Sequence, residues 1–134
     1  MIRFTLTTVA MVLMANAALA NPCGFKQRGK IVVEEYAIGE TQVPAPERER
    51  LAAFAETAKF RSNICIFAQV DATGTDEANR RVAEARAQSV RRFLAERGVP
   101  DDRMAIEKEE TSFTLFGLID AEQGNDRRVT VTHD

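Results

Sequence analysis

An acid and a base stand fifteen residues apart in the middle of the chain, Asp71 at the close of an apolar run and Arg86 on a helical stripe. Arg86 lies one helical turn from both Val82 and Val90, so its side chain emerges at the edge of an apolar face, where a charge needs a partner. Asp71 precedes a turn at Gly74, and that turn feeds the helix bearing Arg86. A carboxylate, a guanidinium and the N–H groups of a helix N-terminus can therefore converge on one pocket. Such a set suits a zwitterion: the guanidinium grips a carboxylate through a forked pair of hydrogen bonds, and the acid receives an ammonium. Spacing leaves a second reading open, in which Asp71 caps the turn and Arg86 makes an edge salt bridge or lays its stem over the core with its head in water.

Catalytic chemistry finds little support. The sole histidine is His133, no G-x-S-x-G occurs, and no His/Cys/Asp set has metal-ligand spacing. Glu109 and Glu110 are adjacent carboxylates, but on a strand they point to opposite faces, which makes them poor candidates for a paired acid and base. A non-enzymatic protein with no catalytic residue, metal or cofactor is the expectation.

The elements that must position Asp71 and Arg86 follow from periodicity. Residues Ile31 to Ile38, rich in Val and Ile and closed by Gly39, read as a strand, and Gly39 to Pro46, with two prolines, as a loop. Pro46 suits a first helical turn, Glu47 and Glu49 complement the helix dipole, and Leu51, Phe54, Ala55 and Ala58 recur at helical spacing. Ile64 to Val70 is the almost continuous apolar run of a central strand. A second helix follows, with Thr75 as its cap, Asp76 and Glu77 in its first turn, Val82, Ala83, Val90, Phe93 and Leu94 on its apolar face, and Gly98 and Pro100 as its stop. Met104 and Ile106, and then Val129 and Val131, alternate with polar residues as strands do. The order β-α-β-α-β-β implies an α/β fold, a two-layer sandwich with helices packed on a small mixed sheet.

The start of the chain bears on where this fold works. Arg3, an apolar stretch from Val9 to Met14 and the ending Ala18-Leu19-Ala20 form the pattern of a signal peptide over residues 1–20. The apolar core is too short for a bilayer, which needs about 20 apolar residues, and no later stretch approaches that length. The expected division is a leader at 1–20, an N-terminal segment carrying Cys23 at 21–30, and one domain at 31–134. The 18 basic and 20 acidic side chains give a net charge of −2 with no basic cluster, which argues against nucleic acid as partner. Both cysteines, Cys23 and Cys65, follow the leader, and one bridge is the economical reading in an exported protein. A lipid anchor on Cys23 is the sharper alternative, although Asn21 and Pro22 precede it where a small residue after an apolar run is needed. A free thiol pair is the third, with Cys65 made inert by apolar neighbours.

The run Asp71-x-x-Gly74, Asn79, Val82-Ala83-x-x-Arg86-Ala87-x-x-Val90, Leu94, Gly98-Val99-Pro100 and Asp126-Arg127-Arg128-Val129 resembles the OmpA-like C-terminal domain family. The family's pattern there is T-D-x-x-G, N, L-S-x-x-R-A-x-x-V, L, G-I/V-P and N-R-R-V. The resemblance spans about Ile31 to Thr132, and is densest from Ile64 to Pro100 and at the last strand. It implies a periplasmic, non-covalent peptidoglycan-binding module associated with the cell wall or outer membrane. By resemblance, Asp71 and Arg86 hold the zwitterionic end of diaminopimelate in the stem peptide, while Asn79 and Arg127 or Arg128 match accessory positions.

Departures are equally specific. The Gly and Thr ahead of the family's Asp are Ala68 and Val70 here, and the Ser of its helix motif is Ala83. The two lost hydroxyls remove two hydrogen bonds, each typically worth about 1 kcal/mol. The family's G-x-G-E-x-x-P stretch is replaced by Glu109, Glu110 and an apolar segment with Phe113, Leu115, Phe116, Leu118 and Ile119. That segment reads either as extra core or as a patch for a protein partner. The alternative function is thus an OmpA-like fold repurposed as a cell-envelope interaction or scaffold domain.

Overall fold

Alternation and helical periodicity resolve into four strands and two helices in a computed structural model, which describes residues 21–70, 76–110 and 127–134. The leader, Asp71, Gly74, Thr75 and the Phe113 to Ile119 segment lie outside the described residues. The elements are β1 (Gly29–Val33), α1 (Arg48–Ala58), β2 (Ile64–Val70), α2 (Asp76–Glu96), β3 (Met104–Glu110) and β4 (Val129–His133). Single 3-10 turns at Ala45–Glu47 and Asp101–Arg103 lead into α1 and β3.

The sheet order is β1-β4-β2-β3. β2 and β3 are parallel, as a strand-helix-strand crossover through α2 requires, and β4 is antiparallel to both β1 and β2. This is the two-layer mixed α/β arrangement expected from the element order, with β2 inside the sheet. One face carries Ile31, Val33, Ile64, Ile66, Ala68, Val129 and Val131, all buried against Leu51, Ala55 and Ala58 of α1 and Ala83, Ala87, Val90 and Leu94 of α2.

The opposite face mixes polar and apolar side chains. Strand alternation places Lys30, Val32, Cys65, Phe67, Gln69, Thr130 and Thr132 there. Cys23 and Cys65 form a disulfide on that side, with Cα atoms 5.5 Å apart, so the N-terminal segment is tied to the inner strand β2. Both cysteines of the chain are consumed, which removes the thiol that a lipid anchor or a free pair would need.

Two boundaries differ from the sequence reading. The first strand was expected over Ile31 to Ile38 but runs from Gly29 to Val33, because Glu34 and Glu35 are both exposed and Glu35 takes a left-handed backbone with φ 62°. The chain turns there, burying Tyr36 and leaving Ile38 88 % exposed. Pro46 falls in the 3-10 turn ahead of α1, and Glu47 is buried, with a carboxylate oxygen 2.6 Å from the Arg50 guanidinium.

Gly29 is required by a neighbour rather than by its backbone. A Cβ there would collide with Nε2 of His133, whose ring packs beside Phe54 with 5.2 Å between centroids. The one histidine is thus a buried core residue, its Nδ1 2.8 Å from the Asp134 carbonyl.

Candidate functional site

The buried stripe of α2 is Ala83, Arg86, Ala87, Ser89, Val90 and Leu94, and its one charge is Arg86. The expectation of an edge position is corrected: Arg86 is 3 % exposed, deeper than Val82, which lies at the margin. Long helical side chains lean toward the helix N-terminus, and this one reaches the loop that follows β1. Its Nε donates to the Glu40 carbonyl at 2.7 Å and its Nη2 to the Ala37 carbonyl at 3.2 Å. The guanidinium carbon lies 4.8 Å from the centroid of the Tyr36 ring.

This setting makes the left-handed residue at Glu35 intelligible. The turn it creates points two backbone carbonyls and an aromatic ring at one cation, each of which favours charge that burial would otherwise disfavour. Burial also pushes the Tyr36 phenol above its ordinary value of 10; Arg86 opposes the shift, while Glu40 and Glu47 add to it. The phenol oxygen has no hydrogen-bond partner among the described residues. Arg86 is therefore a guanidinium fixed in orientation by donation to two loop carbonyls.

The remaining sequence-nominated residues divide clearly. Asn79 is half-buried in the first turns of α2, on the element that carries Arg86. Arg127 is half-buried and immediately precedes the exposed Arg128, whose carbonyl accepts the Gln69 amide at 3.3 Å; both lie just ahead of β4. Asp71 and Gly74 lie outside the described residues, between the end of β2 and the start of α2. Ala68 and Ala83 are both buried in the sheet-helix interface, so each departure from the family pattern fills core space. Tyr36, Ala37 and Glu40 were not anticipated. The available signal was the chain's single tyrosine, isolated between two glutamates and a glycine.

A mixed four-stranded sheet with two helices on one face is the architecture of an OmpA-like α/β domain. The family model for OmpA matches residues 35–117, and the chain belongs to the OmpA family. No curated protein matches it by sequence. Among solved structures it is similar to the OmpA-like domain of FopA1 from Francisella tularensis, at TM-score 0.60 and 18% identity over 77% of this chain and 70% of that one. The peptidoglycan-associated lipoprotein from Burkholderia pseudomallei aligns at TM-score 0.58 and 22% identity, over 81% of this chain and 91% of the other. The cell wall anchor of the T6SS from Pseudomonas aeruginosa aligns at TM-score 0.57 and 17% identity, over 78% and 79%.

Proposed function

We propose that this protein is an exported, periplasmic module that binds peptidoglycan non-covalently by recognising the diaminopimelate end of the stem peptide. The observation that carries the reading is the fixed Arg86 guanidinium, fifteen residues after Asp71 as in the family pattern. Arg86 grips the stem-peptide carboxylate, Asp71 receives its ammonium, and backbone N–H groups of the Gly74 to Asn79 turn complete the pocket, with Arg127 beside it. The names of its structural neighbours, a peptidoglycan-associated lipoprotein and a cell wall anchor, support the same assignment. Among the described residues no helix is long and apolar enough to cross a membrane.

Charge-assisted contacts of roughly 1.5–3 kcal/mol each mean that losing one costs about tenfold to a hundredfold in affinity. Cosedimentation with purified sacculi tests this. Asp71→Ala should move most of the protein to the supernatant while its circular dichroism matches wild type. Equal retention of wild type and variant would remove the site from the account.

A second reading is favoured by Ala68 and Ala83, where small apolar side chains stand in the core in place of the family's Gly and Ser. In it the fold serves as a protein-protein interaction domain of the envelope, with Phe113 to Ile119 as the contact. Sacculus binding that fails in the wild type, together with an envelope partner lost on Phe116→Asp, would select it.

A further inference from the structure

The face of the sheet away from the helices holds a cavity of about 220 Å³, lined by Gln27, Lys30, Val32, Phe67, Gln69, Arg128, Thr130 and Thr132. Its composition is one-sided. Two cations, two amides and two hydroxyls line it, and no carboxylate does among the described residues. Glu107, the cross-strand partner of Phe67 on β3, is outside the lining. Such a patch on a chain of net charge −2 is not average surface.

The floor of the cavity is unusually well buried for polar residues. Gln69 is 8 % exposed and Thr132 is 1 % exposed. The Thr132 hydroxyl has no hydrogen-bond partner among the described residues. A buried hydroxyl left unpaired costs about 1–3 kcal/mol, and replacement by valine would remove that cost. A bound group would offer a partner that the described residues do not.

We propose that this cavity is a second binding site, for a carboxylate-bearing sugar. Lys30 and Arg128 meet the carboxylate from β1 and from the approach to β4. Gln27, Gln69, Thr130 and Thr132 meet ring hydroxyls as donors and acceptors, and Phe67 with Val32 forms the apolar wall against which a sugar ring lies. The volume is below the roughly 300 Å³ at which drug-sized pockets begin, which fits one sugar unit. The disulfide at Cys65, cross-strand neighbour of Thr132, holds the N-terminal segment and hence Gln27 at the rim. The site does not depend on the stem-peptide reading, since Arg86 and Asp71 take no part in it.

Amide chemical shifts of the ¹⁵N-labelled protein, titrated with glucuronate, glucose, acetate and inorganic phosphate, test the proposal. Glucuronate should shift Gln69, Thr130 and Thr132 saturably, and glucose and acetate should bind at least tenfold more weakly. Arg128→Gln should weaken glucuronate at least tenfold, and Thr132→Val at least fivefold while melting no lower than wild type. Arg86→Lys should leave this titration unchanged. Phosphate matching glucuronate would mark a general anion patch and overturn the proposal. So would the absence of saturable shifts, or full glucuronate affinity in Thr132→Val.

Discussion

The two ends of the sheet are closed by the same device with the charges exchanged, and only one end hides it from water. At the end where β2 begins, the Asp134 carboxylate accepts from the Ser62 and Asn63 amides at 3.1 and 3.2 Å and from the Asn63 side chain at 3.1 Å, in the open. Where β2 ends, Arg86 donates to the carbonyls of Ala37 and Glu40 under cover of the Tyr36 loop. An exposed charge capping a turn contributes little, because water competes for every bond. A buried one is held in a single orientation, and that orientation is what a charged ligand can use. The difference separates an exposed clasp from a buried charge of fixed direction.

The largest effect should come from the buried end. Arg86→Ala leaves two loop carbonyls without their donor and a void beside Tyr36, so unfolding free energy should fall by about 2–4 kcal/mol. Arg86→Lys keeps the charge but not the fork, and should retain more stability than wall binding. Denaturant titration beside the sacculus assay separates the two; parallel losses would mean that Arg86 only props the loop.

At the clasp end the decisive residue is one without a side chain. Gly29→Ala drives a methyl group into the His133 ring and should cost about 1–3 kcal/mol, read in the midpoint of denaturant unfolding. An unchanged midpoint would show that His133 moves freely, and that this end is looser than the structure has it.

The smallest effects are opposite in their pH dependence. Desolvation works to raise the Asp134 carboxyl, but hydrogen bonds from the Asn63 backbone and side chain and from the Ser62 backbone outweigh it, and the group titrates below its ordinary 3.8. The bonds therefore favour the ionised form: their stabilisation is present above pH 3.8 and fades as pH falls through the lower folded value. A small melting-temperature deficit of Asp134→Asn at pH 7 should accordingly vanish in acid. Tyr36 behaves in the reverse sense, since burial raises its phenol: stability present below pH 10 is lost as pH rises toward the folded value. Tyr36→Phe should remove that alkaline loss and, by deleting an unpartnered hydroxyl, stabilise the protein by about 1 kcal/mol at neutral pH.

Most of the architecture was legible because the signals were local. Ile64 to Val70 announced an inner strand through its continuous apolar run, and the stripe from Ala83 to Leu94 announced the face of α2. The first strand was over-extended because Tyr36 and Ile38 continue the strand-like pattern, while the turn at Glu35 carries no glycine to mark it. Arg86 was found by its helical register, but its depth was not, since that is set by carbonyls forty-six and forty-nine residues away in sequence. The cavity of the open face was illegible for a related reason: Lys30, Gln69 and Arg128 come from three separated segments that meet only through sheet order.

The most direct test follows the backbone amides of the Ala37 to Glu40 loop and of α2 around Arg86 while a soluble stem peptide ending in diaminopimelate is added. Saturable shifts centred on those residues in wild type, weakened tenfold or more in Asp71→Ala, are the expected result. Shifts that are absent, or that persist undiminished in Asp71→Ala, would contradict it.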